Sequence, residues 1–197
     1  MNNASLITLP NKHLREKSKK VGYMDEATQE LIERMRAITL EWEASREHEV
    51  GVALAAIQMD VPLRVVVVRS DFDNKKDTTF RAFINPEITK YEGVIETDFE
   101  GCLSIKDIYG KVPRYSKVRV KALGLDGKET RITAEGFLAR VFQHEIDHTN
   151  GIVFIDHIRD MHEAFYTLNE EGNLQQLDYE HDIQNNTVLW PDGSTNS

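Results

Sequence analysis

The sequence has little of what marks a secreted, membrane-embedded or nucleic-acid-binding protein. Cys102 is the only cysteine in 197 residues, which excludes an internal disulfide. No apolar run approaches the length of a membrane span, and residues 1–20 have no apolar core of the kind a secretory signal needs. The net charge of −9 argues against a large nonspecific nucleic-acid footprint. We therefore expect a cytoplasmic protein that binds neither membranes nor a specific nucleic acid.

The chain is long enough to fold without cross-links. Its composition, 40% hydrophobic and 29% charged, is typical of an ordinary globular protein, and 197 residues can bury a substantial core. The last residues are polar and end in turn-forming residues. We therefore predict one catalytic domain at 1–165 and a C-terminal extension at 166–197 that is partly helical or disordered.

Several segments have a clear secondary-structure pattern. Residues 24–45 carry apolar side chains at helical spacing after Asp25, a suitable N-cap. Residues 63–68 and 117–123 are rich in β-branched or alternating apolar residues and predict strands. The polar residues 71–79 predict an exposed loop.

Two further helices are predicted in the second half of the chain. Residues 133–149 have an apolar face, a candidate N-cap at Thr133 and a stop signal at Asn150 and Gly151. The charged stretch 159–171 also predicts a helix.

The helix predicted at 133–149 contains a candidate metal-binding motif. His144 and His148 are four residues apart, so their imidazoles lie on one face of a helix and can reach a single ion, with Glu145 beside them. Zinc and ferrous iron accept both imidazole and thiolate ligands, and Cys102 is the only thiol. The spacing alone does not require Cys102 to meet the histidines, and a free cysteine is often a buried apolar residue.

Three ordered motifs resemble those of the peptide deformylases: GVALAAIQ at 51–58, EGCLS at 100–104 and QHEIDHTNG at 143–151. The similarity extends over residues 5–165. It implies an α+β fold in which small antiparallel or mixed sheets pack around a central helix carrying the H-E-x-x-H motif. The implied activity is metal-dependent hydrolysis of the N-formyl group from formylmethionine at the start of new polypeptides, which releases formate. The implied partners are N-formylmethionyl nascent chains, with transient association with the ribosome.

The resemblance also assigns roles to individual residues. The implied ligands of one divalent ion are Cys102, His144 and His148. That ion is ferrous iron by family association, although zinc, nickel and cobalt suit the same ligands. For catalysis, Glu145 is the expected proton-transfer group, and the Gln58 side chain and the Leu103 backbone N–H are the expected oxyanion donors. The expected substrate-binding or site-shaping residues are Gly51, Val52, Ala53, Glu100 and Val141, and Phe137 is a weaker candidate for the methionine pocket.

The chain departs from the family pattern at three positions: Ala53 replaces a glycine, Lys106 a proline and Thr149 a leucine. No ligand is altered. Ala53 matters most, because a glycine near a substrate can permit a positive φ or a close backbone approach. We expect an extended, negative-φ backbone at Ala53 and an active enzyme.

Two other functions are compatible with parts of the pattern. A deformylase-like protein with weak or no activity could use the fold for binding only. A zinc metallopeptidase could use H-E-x-x-H, but the longer H-E-x-x-H-x-x-G-x-x-H pattern requires a histidine where this chain has Phe154. A peptidase would also leave the motifs around Ala53 and Cys102 without a role.

Overall fold

In the computed structural model, which describes residues 6–72 and 74–191, the chain forms two α-helices and one seven-stranded sheet. The helices are α1 (Glu26–Ala44) and α2 (Gly136–Thr149). The strands are β1 (Ala53–Ala55), β2 (Val65–Arg69), β3 (Phe80–Cys102), β4 (Ile105–Leu123), β5 (Glu129–Glu135), β6 (Phe165–Leu168) and β7 (Leu174–Gln176). The expected α+β class is confirmed.

The strands pair in the order β1-β2-β3-β4-β6-β7, and β5 pairs with β4. All of these pairs are antiparallel. Separate small sheets were expected, but the strands form one hydrogen-bonded network. They do so because β3 and β4, at 23 and 19 residues, are long enough to pair with strands along different parts of their length. Four register shifts interrupt their pairing, and such bulges bend a sheet and strengthen its twist. Different parts of β3 and β4 can therefore belong to different layers of the core.

Helix α1 begins where the sequence predicts. The side chain of Asp25 accepts a hydrogen bond from the backbone N–H of Thr28 at 2.8 Å, the geometry of an N-cap. Leu31, Ile32 and Met35 are buried against β1 and β2. The strand predicted at 63–68 corresponds to β2, and the one at 117–123 is the end of β4. The loop predicted at 71–79 joins β2 to β3, and its residue 73 lies outside the described residues.

Two predictions for the second half of the chain are wrong. Helix α2 begins at Gly136 with Glu135 as its N-cap, because Thr133 pairs with Arg119 in the β4–β5 ladder and cannot cap a helix. Residues 159–171 do not form the predicted helix. They contain strand β6, in which Phe165 is fully buried and pairs with Gly110 of β4. Here tertiary burial outweighs local helix propensity.

The segment after residue 164 is attached to the rest of the fold. Strands β6 and β7 extend the sheet beyond β4, and a short π-helical turn follows at Tyr179–Gln184. Ile183, Leu189 and Trp190 are buried in the same apolar cluster as Phe165. Residues 1–5, at the start of the predicted catalytic domain, and residues 192–197, at the end of the predicted extension, lie outside the described residues. In the described part of the chain, no helix is long and apolar enough to cross a bilayer.

Candidate active site

Helix α2 carries two histidines and a glutamate on its buried side. His144, Glu145 and His148 are each at most 9% exposed. Val141, Phe142 and Ile146 fix the orientation of the helix by packing into an apolar cluster with β1, β2 and β4. The helix ends at Thr149 with Asn150 as its C-cap, and Gly151 follows with φ +78. An added Cβ at Gly151 would lie 2.3 Å from the carbonyl oxygen of Arg15, so this stop requires glycine.

Cys102 meets the two histidines at the end of β3. One ligand atom from each of Cys102, His144 and His148 lies within 4.8 Å of the other two, close enough to hold one metal ion. The Cys102 Sγ is 3.2 Å from the His148 Nε2, and the centroids of the two imidazole rings are 4.9 Å apart. The fold therefore brings Cys102 together with two histidines that follow it in sequence by 42 and 46 residues.

The charge state of the histidines depends on their surroundings. Burial lowers the pKa of His148 well below its ordinary value, so its ring is neutral and can donate a lone pair. Burial also acts to lower the pKa of His144, but hydrogen bonds with Cys102 and Glu100 outweigh it and raise the pKa well above its ordinary value. A metal ion competes with that proton, because ligating imidazoles must be deprotonated.

Glu100 holds His144 in place from behind. Its Oε2 is 2.9 Å from the His144 Nδ1, which leaves Nε2 to face the cluster. Arg114 donates to both carboxylate oxygens at 2.9 and 3.1 Å, and Arg140 donates to Oε1 at 2.8 Å. Burial acts to raise the pKa of Glu100, but the bonds from His144 and Arg114 outweigh it and keep the pKa well below its usual range. A carboxylate behind a ligating histidine fixes the tautomer and orientation of the ring.

Arg114 extends this network to Asp147 of α2. Its guanidinium donates to the Asp147 Oδ2 at 2.5 Å, and the same oxygen is 2.7 Å from the His157 Nε2. Asp147 therefore contacts Arg114 and His157 and is absent from the three-residue cluster. Neither Arg114 nor Arg140 was predicted to belong to the site. Arg140 is a charged residue in the apolar stretch 137–142, whereas Arg114 lies between Lys111 and Lys117, and neither pattern identifies a partner.

Glu145 is buried beside the cluster without being part of it. Among residues 6–72 and 74–191, its Oε2 has no hydrogen-bond partner. Burial raises its pKa to about 7, with the attraction of His144 opposing and the repulsion of Glu100 adding to the shift. The Nδ1 of His148 likewise has no partner within the described residues. Buried polar atoms are nearly always satisfied, so the Glu145 Oε2, lying beside a thiol and two imidazoles, fits a site built for a metal ion and a water.

Gln58 points its amide toward the cysteine. The Gln58 Oε1 accepts from the Ala55 backbone N–H at 2.9 Å, which orients Nε2 toward the Cys102 Sγ at 3.6 Å and the Ser104 Oγ at 3.1 Å. The side chain is 1% exposed, so it is not a surface glutamine. Leu103 lies in the turn after Cys102, between β3 and β4.

A cavity of about 340 Å³ opens beside these residues. Most of the residues predicted for the site line it: Val52, Ala53, Gln58, Glu100, Cys102, Leu103, Phe137, Val141, His144 and Glu145. His148 does not line it and is fully buried. Gly51 also lies outside the lining and packs on α1, where an added Cβ would lie 2.6 Å from the Thr39 Cγ2.

Other residues that line the cavity were not expected. Trp42 and His48 come from the end of α1 and the loop before β1, and Leu168, Gly172 and Leu174 come from the segment after residue 164. Trp42 belongs to the apolar stripe of α1, and that pattern does not distinguish a residue that lines a cavity from one that packs in the core. The other four lie outside the three motifs, so nothing in the sequence marked them.

Ala53 has the conformation expected for it. It pairs with Val68 in β1, and it is not among the residues with positive φ. Strand β1 is at the end of the strand order, so its other edge pairs with no strand of the described residues, and Ala53 lines the cavity. The methyl group therefore occupies a normal strand position. The departures at Lys106 and Thr149 lie outside the cavity lining, and Thr149 is buried with its hydroxyl bonded to the carbonyl of Ile146.

The fold and the site together define a class, the metallohydrolases that use an H-E-x-x-H helix. Within it, a family model described as polypeptide deformylase matches residues 4–164. The chain belongs to the polypeptide deformylase family.

Individual relatives agree with this assignment. The chain is similar to the peptide deformylase of Agrobacterium fabrum, with 42% identity over 78% of this chain and 85% of the relative. It is 47% identical to that of Halothermothrix orenii over 74% and 86% of the two chains. Among solved structures, it is similar to the peptide deformylase of Legionella pneumophila, with 40% identity, a TM-score of 0.68 and coverage of 78% and 84%.

Proposed function

We propose that this chain hydrolyses the N-formyl group of formylmethionine at the start of new polypeptides, giving formate and a free amine. The observation that carries this proposal is the cluster of Cys102, His144 and His148 at a cavity that is also lined by Glu145, whose buried Oε2 has no hydrogen-bond partner among the described residues. The family relatives, which are named peptide deformylases, support it. Since the substrate is a nascent chain, the proposal includes transient association with the ribosome.

In this proposal, α2 is the central catalytic helix, and its two histidines hold one divalent ion together with Cys102. Such an ion supplies Lewis-acid chemistry, polarising the formyl carbonyl and lowering the pKa of a bound water. Ferrous iron is the proposed ion, and zinc, nickel and cobalt suit the same thiolate and imidazole ligands. Metal analysis of protein purified without oxygen, with turnover measured on the same samples, tests the identity of the ion.

Glu145 is the proposed proton-transfer residue. Its carboxylate is adjacent to His144 and outside the ligand set, so it can accept a proton from the attacking water and deliver it to the departing nitrogen. Gln58 supports the reaction by donating its Nε2–H to the developing oxyanion, and the backbone N–H of Leu103 is the proposed second donor. The bond from the Ala55 N–H keeps the Gln58 amide oriented for this task.

Glu100 and Gly51 shape the site in this proposal. Because the Glu100 carboxylate already contacts His144 and two arginines, we assign it the role of orienting the metal ligand His144. The close approach of Gly51 to Thr39 sets the position of β1. The unpaired edge of β1 at Ala53 can then hydrogen-bond the backbone of an extended peptide as an added strand. Val52, Val141 and the half-exposed Phe137 offer apolar surface to the methionine side chain.

The alternative functions lack a comparable observation. In a peptidase of the longer pattern, position 154 would supply the third histidine, but Phe154 is buried in an apolar cluster and its ring stacks beside His144. A protein that only binds would not require Glu145, because burying its Oε2 with no partner in the described part of the chain costs stability.

Formate release from formyl-Met-Ala tests the function. The wild-type protein is expected to turn the peptide over, and Glu145→Gln, which keeps the shape of the side chain, is expected to reduce kcat about 100-fold. The metal content should stay unchanged. An intact, metal-loaded wild type that releases no formate would disprove the proposed activity, and full activity of the variant would disprove the role of Glu145.

We propose residues 1–165 as the catalytic domain and residues 166–197 as its C-terminal extension. In the described part of the extension, Leu168, Gly172 and Leu174 line the cavity.

A further inference from the structure

Strands β6 and β7 form a hairpin that follows the residues matched by the family model. β6 joins the sheet through pairs of Tyr166 with Tyr109 and of Phe165 with Gly110. Leu168 lies directly opposite Leu174 in the β6–β7 ladder. Opposed residues of an antiparallel pair project from the same face, so the two leucines form one apolar surface.

The base of this hairpin is firmly attached. Phe165 is fully buried in a cluster with Ile183 and Trp190. The Tyr166 ring meets the Phe99 ring edge to face, with centroids 5.0 Å apart. Phe99 lines the cavity one residue before Glu100. The position of the hairpin is therefore coupled to the strand that carries the site.

The tip of the hairpin packs against His48, which lines the same cavity. Gly172 has φ +77, and a Cβ added there would lie 2.7 Å from the Cγ of His48. The backbone thus packs directly on the imidazole of His48, in the loop before β1. Any larger residue would push the tip away from that loop, and the positive φ would strain it as well.

The hairpin presents apolar surface where a ligand would cover it. Leu168, Gly172 and Leu174 line the same cavity as Cys102 and Glu145. Leu174 is 39% exposed, although leucine is usually buried. The Leu168–Leu174 surface is continuous with the site of the proposed reaction, so the occupant that reaches it is the remainder of the bound peptide.

We propose that the β6–β7 hairpin is a specificity element that contacts the second or third residue of the peptide. Leu168 and Leu174 then favour an apolar side chain at that position over a small polar one. This inference rests on the proposed deformylase activity and adds to it a preference beyond the formylated residue. The hairpin acts on binding and takes no part in proton transfer, so its effect belongs in KM.

Three formylated tripeptides test the inference: formyl-Met-Leu-Ala, formyl-Met-Ala-Leu and formyl-Met-Ala-Ser. In the wild type, one of the leucine peptides is expected to have a kcat/KM about 10-fold above that of the serine peptide, a typical contribution of a partly buried apolar contact. In the Leu168→Ser, Leu174→Ser double variant, this ratio should fall to about 1 through a higher KM for the leucine peptide.

Two further variants separate contact from folding. Leu174→Ser alone changes an exposed position, so it should fold and lose part of the preference. Leu125→Ser is the matched control, because Leu125 is 46% exposed and does not line the cavity. It should keep the full preference.

The outcomes distinguish the two proposals. Equal kcat/KM for all three peptides in the wild type, or an unchanged ratio in the double variant, overturns the hairpin inference and leaves the deformylase activity intact. A wild type that releases formate from none of the peptides overturns both.

Discussion

The Oε2 of Glu100 lies 2.9 Å from the Nδ1 of His144, inside a network that also contains Arg114 and Arg140. A carboxylate from β3 thereby sets the orientation of an imidazole from α2. The three charged partners of Glu100 come from β4 and α2, so this one side chain ties together the elements that form the site.

Replacing Glu100 by glutamine should weaken metal binding. The amide cannot hold His144 as strongly as the carboxylate does, and loss of such outer contacts costs about 10- to 100-fold in metal affinity. The variant should also be less stable, because buried Arg140 loses the carboxylate it pairs with and buried Arg114 keeps only Asp147. Titration against a competing chelator, on protein whose folding is checked by circular dichroism, measures the effect. Glu96→Gln is the control, since Glu96 is exposed on the same strand. Wild-type affinity in folded Glu100→Gln would contradict the positioning role.

Cys102→Ala should lose metal and activity together and leave a folded protein. Of the three proposed ligands, only Cys102 belongs to an apolar cluster of the core, and alanine keeps that position apolar. Metal content per chain, measured by elemental analysis after desalting, should fall from about one equivalent to near zero, because two imidazoles alone are a weak site. Glu145→Gln serves as the contrasting variant that keeps its metal. A full equivalent retained by Cys102→Ala would remove Cys102 from the ligand set.

Ala53→Gly should leave turnover nearly unchanged. Ala53 has an ordinary strand conformation, so glycine removes no strain there and costs roughly 0.5–1 kcal/mol of stability. Gly51→Ala is the opposite case, since its new methyl would lie 2.7 Å from the carbonyl oxygen of Thr39. It should displace β1 and reduce both stability and turnover. Thermal unfolding and formate release on both variants check this, and a large gain of activity in Ala53→Gly would show that the alanine obstructs the site.

The cap of α1 should make stability depend on pH. Hydrogen bonds from the Thr28 side chain and backbone lower the pKa of Asp25 below its ordinary value of 3.8. A lowered pKa means that the carboxylate stabilises the folded state above the unfolded pKa, and that this contribution is lost as the pH falls through the folded value. Asp25→Ala should therefore lower the Tm at pH 7, with a smaller difference near pH 3. Asp25→Asn keeps a capping oxygen that does not ionise, so its Tm difference from Asp25→Ala should not shrink at low pH. A Tm difference between wild type and Asp25→Ala that is as large near pH 3 as at pH 7 would contradict this account.

Local pattern predicted the two long helices and the face that carries the motif. Apolar spacing and the Asp25 cap located α1 within two residues at its start, and Gly151 located the end of α2. A four-residue spacing places two imidazoles on one side of any helix, so the approach of His144 to His148 follows from helix geometry alone. The motifs also predicted the ligand set and the family, and the family assignment is confirmed.

Contacts between distant segments decided the rest. The partner of Glu100, the start of α2 and the strand at residues 165–168 depend on pairing and burial across more than ten residues of sequence, and such contacts leave no periodic signal in the chain. Residues 159–171 have the composition of a helix, yet burial of Phe165 beside β4 places part of this stretch in a strand. The wall formed by Leu168, Gly172 and Leu174 exists only because that strand extends the sheet over the cavity, and no segment specifies by itself what a distant segment will cover.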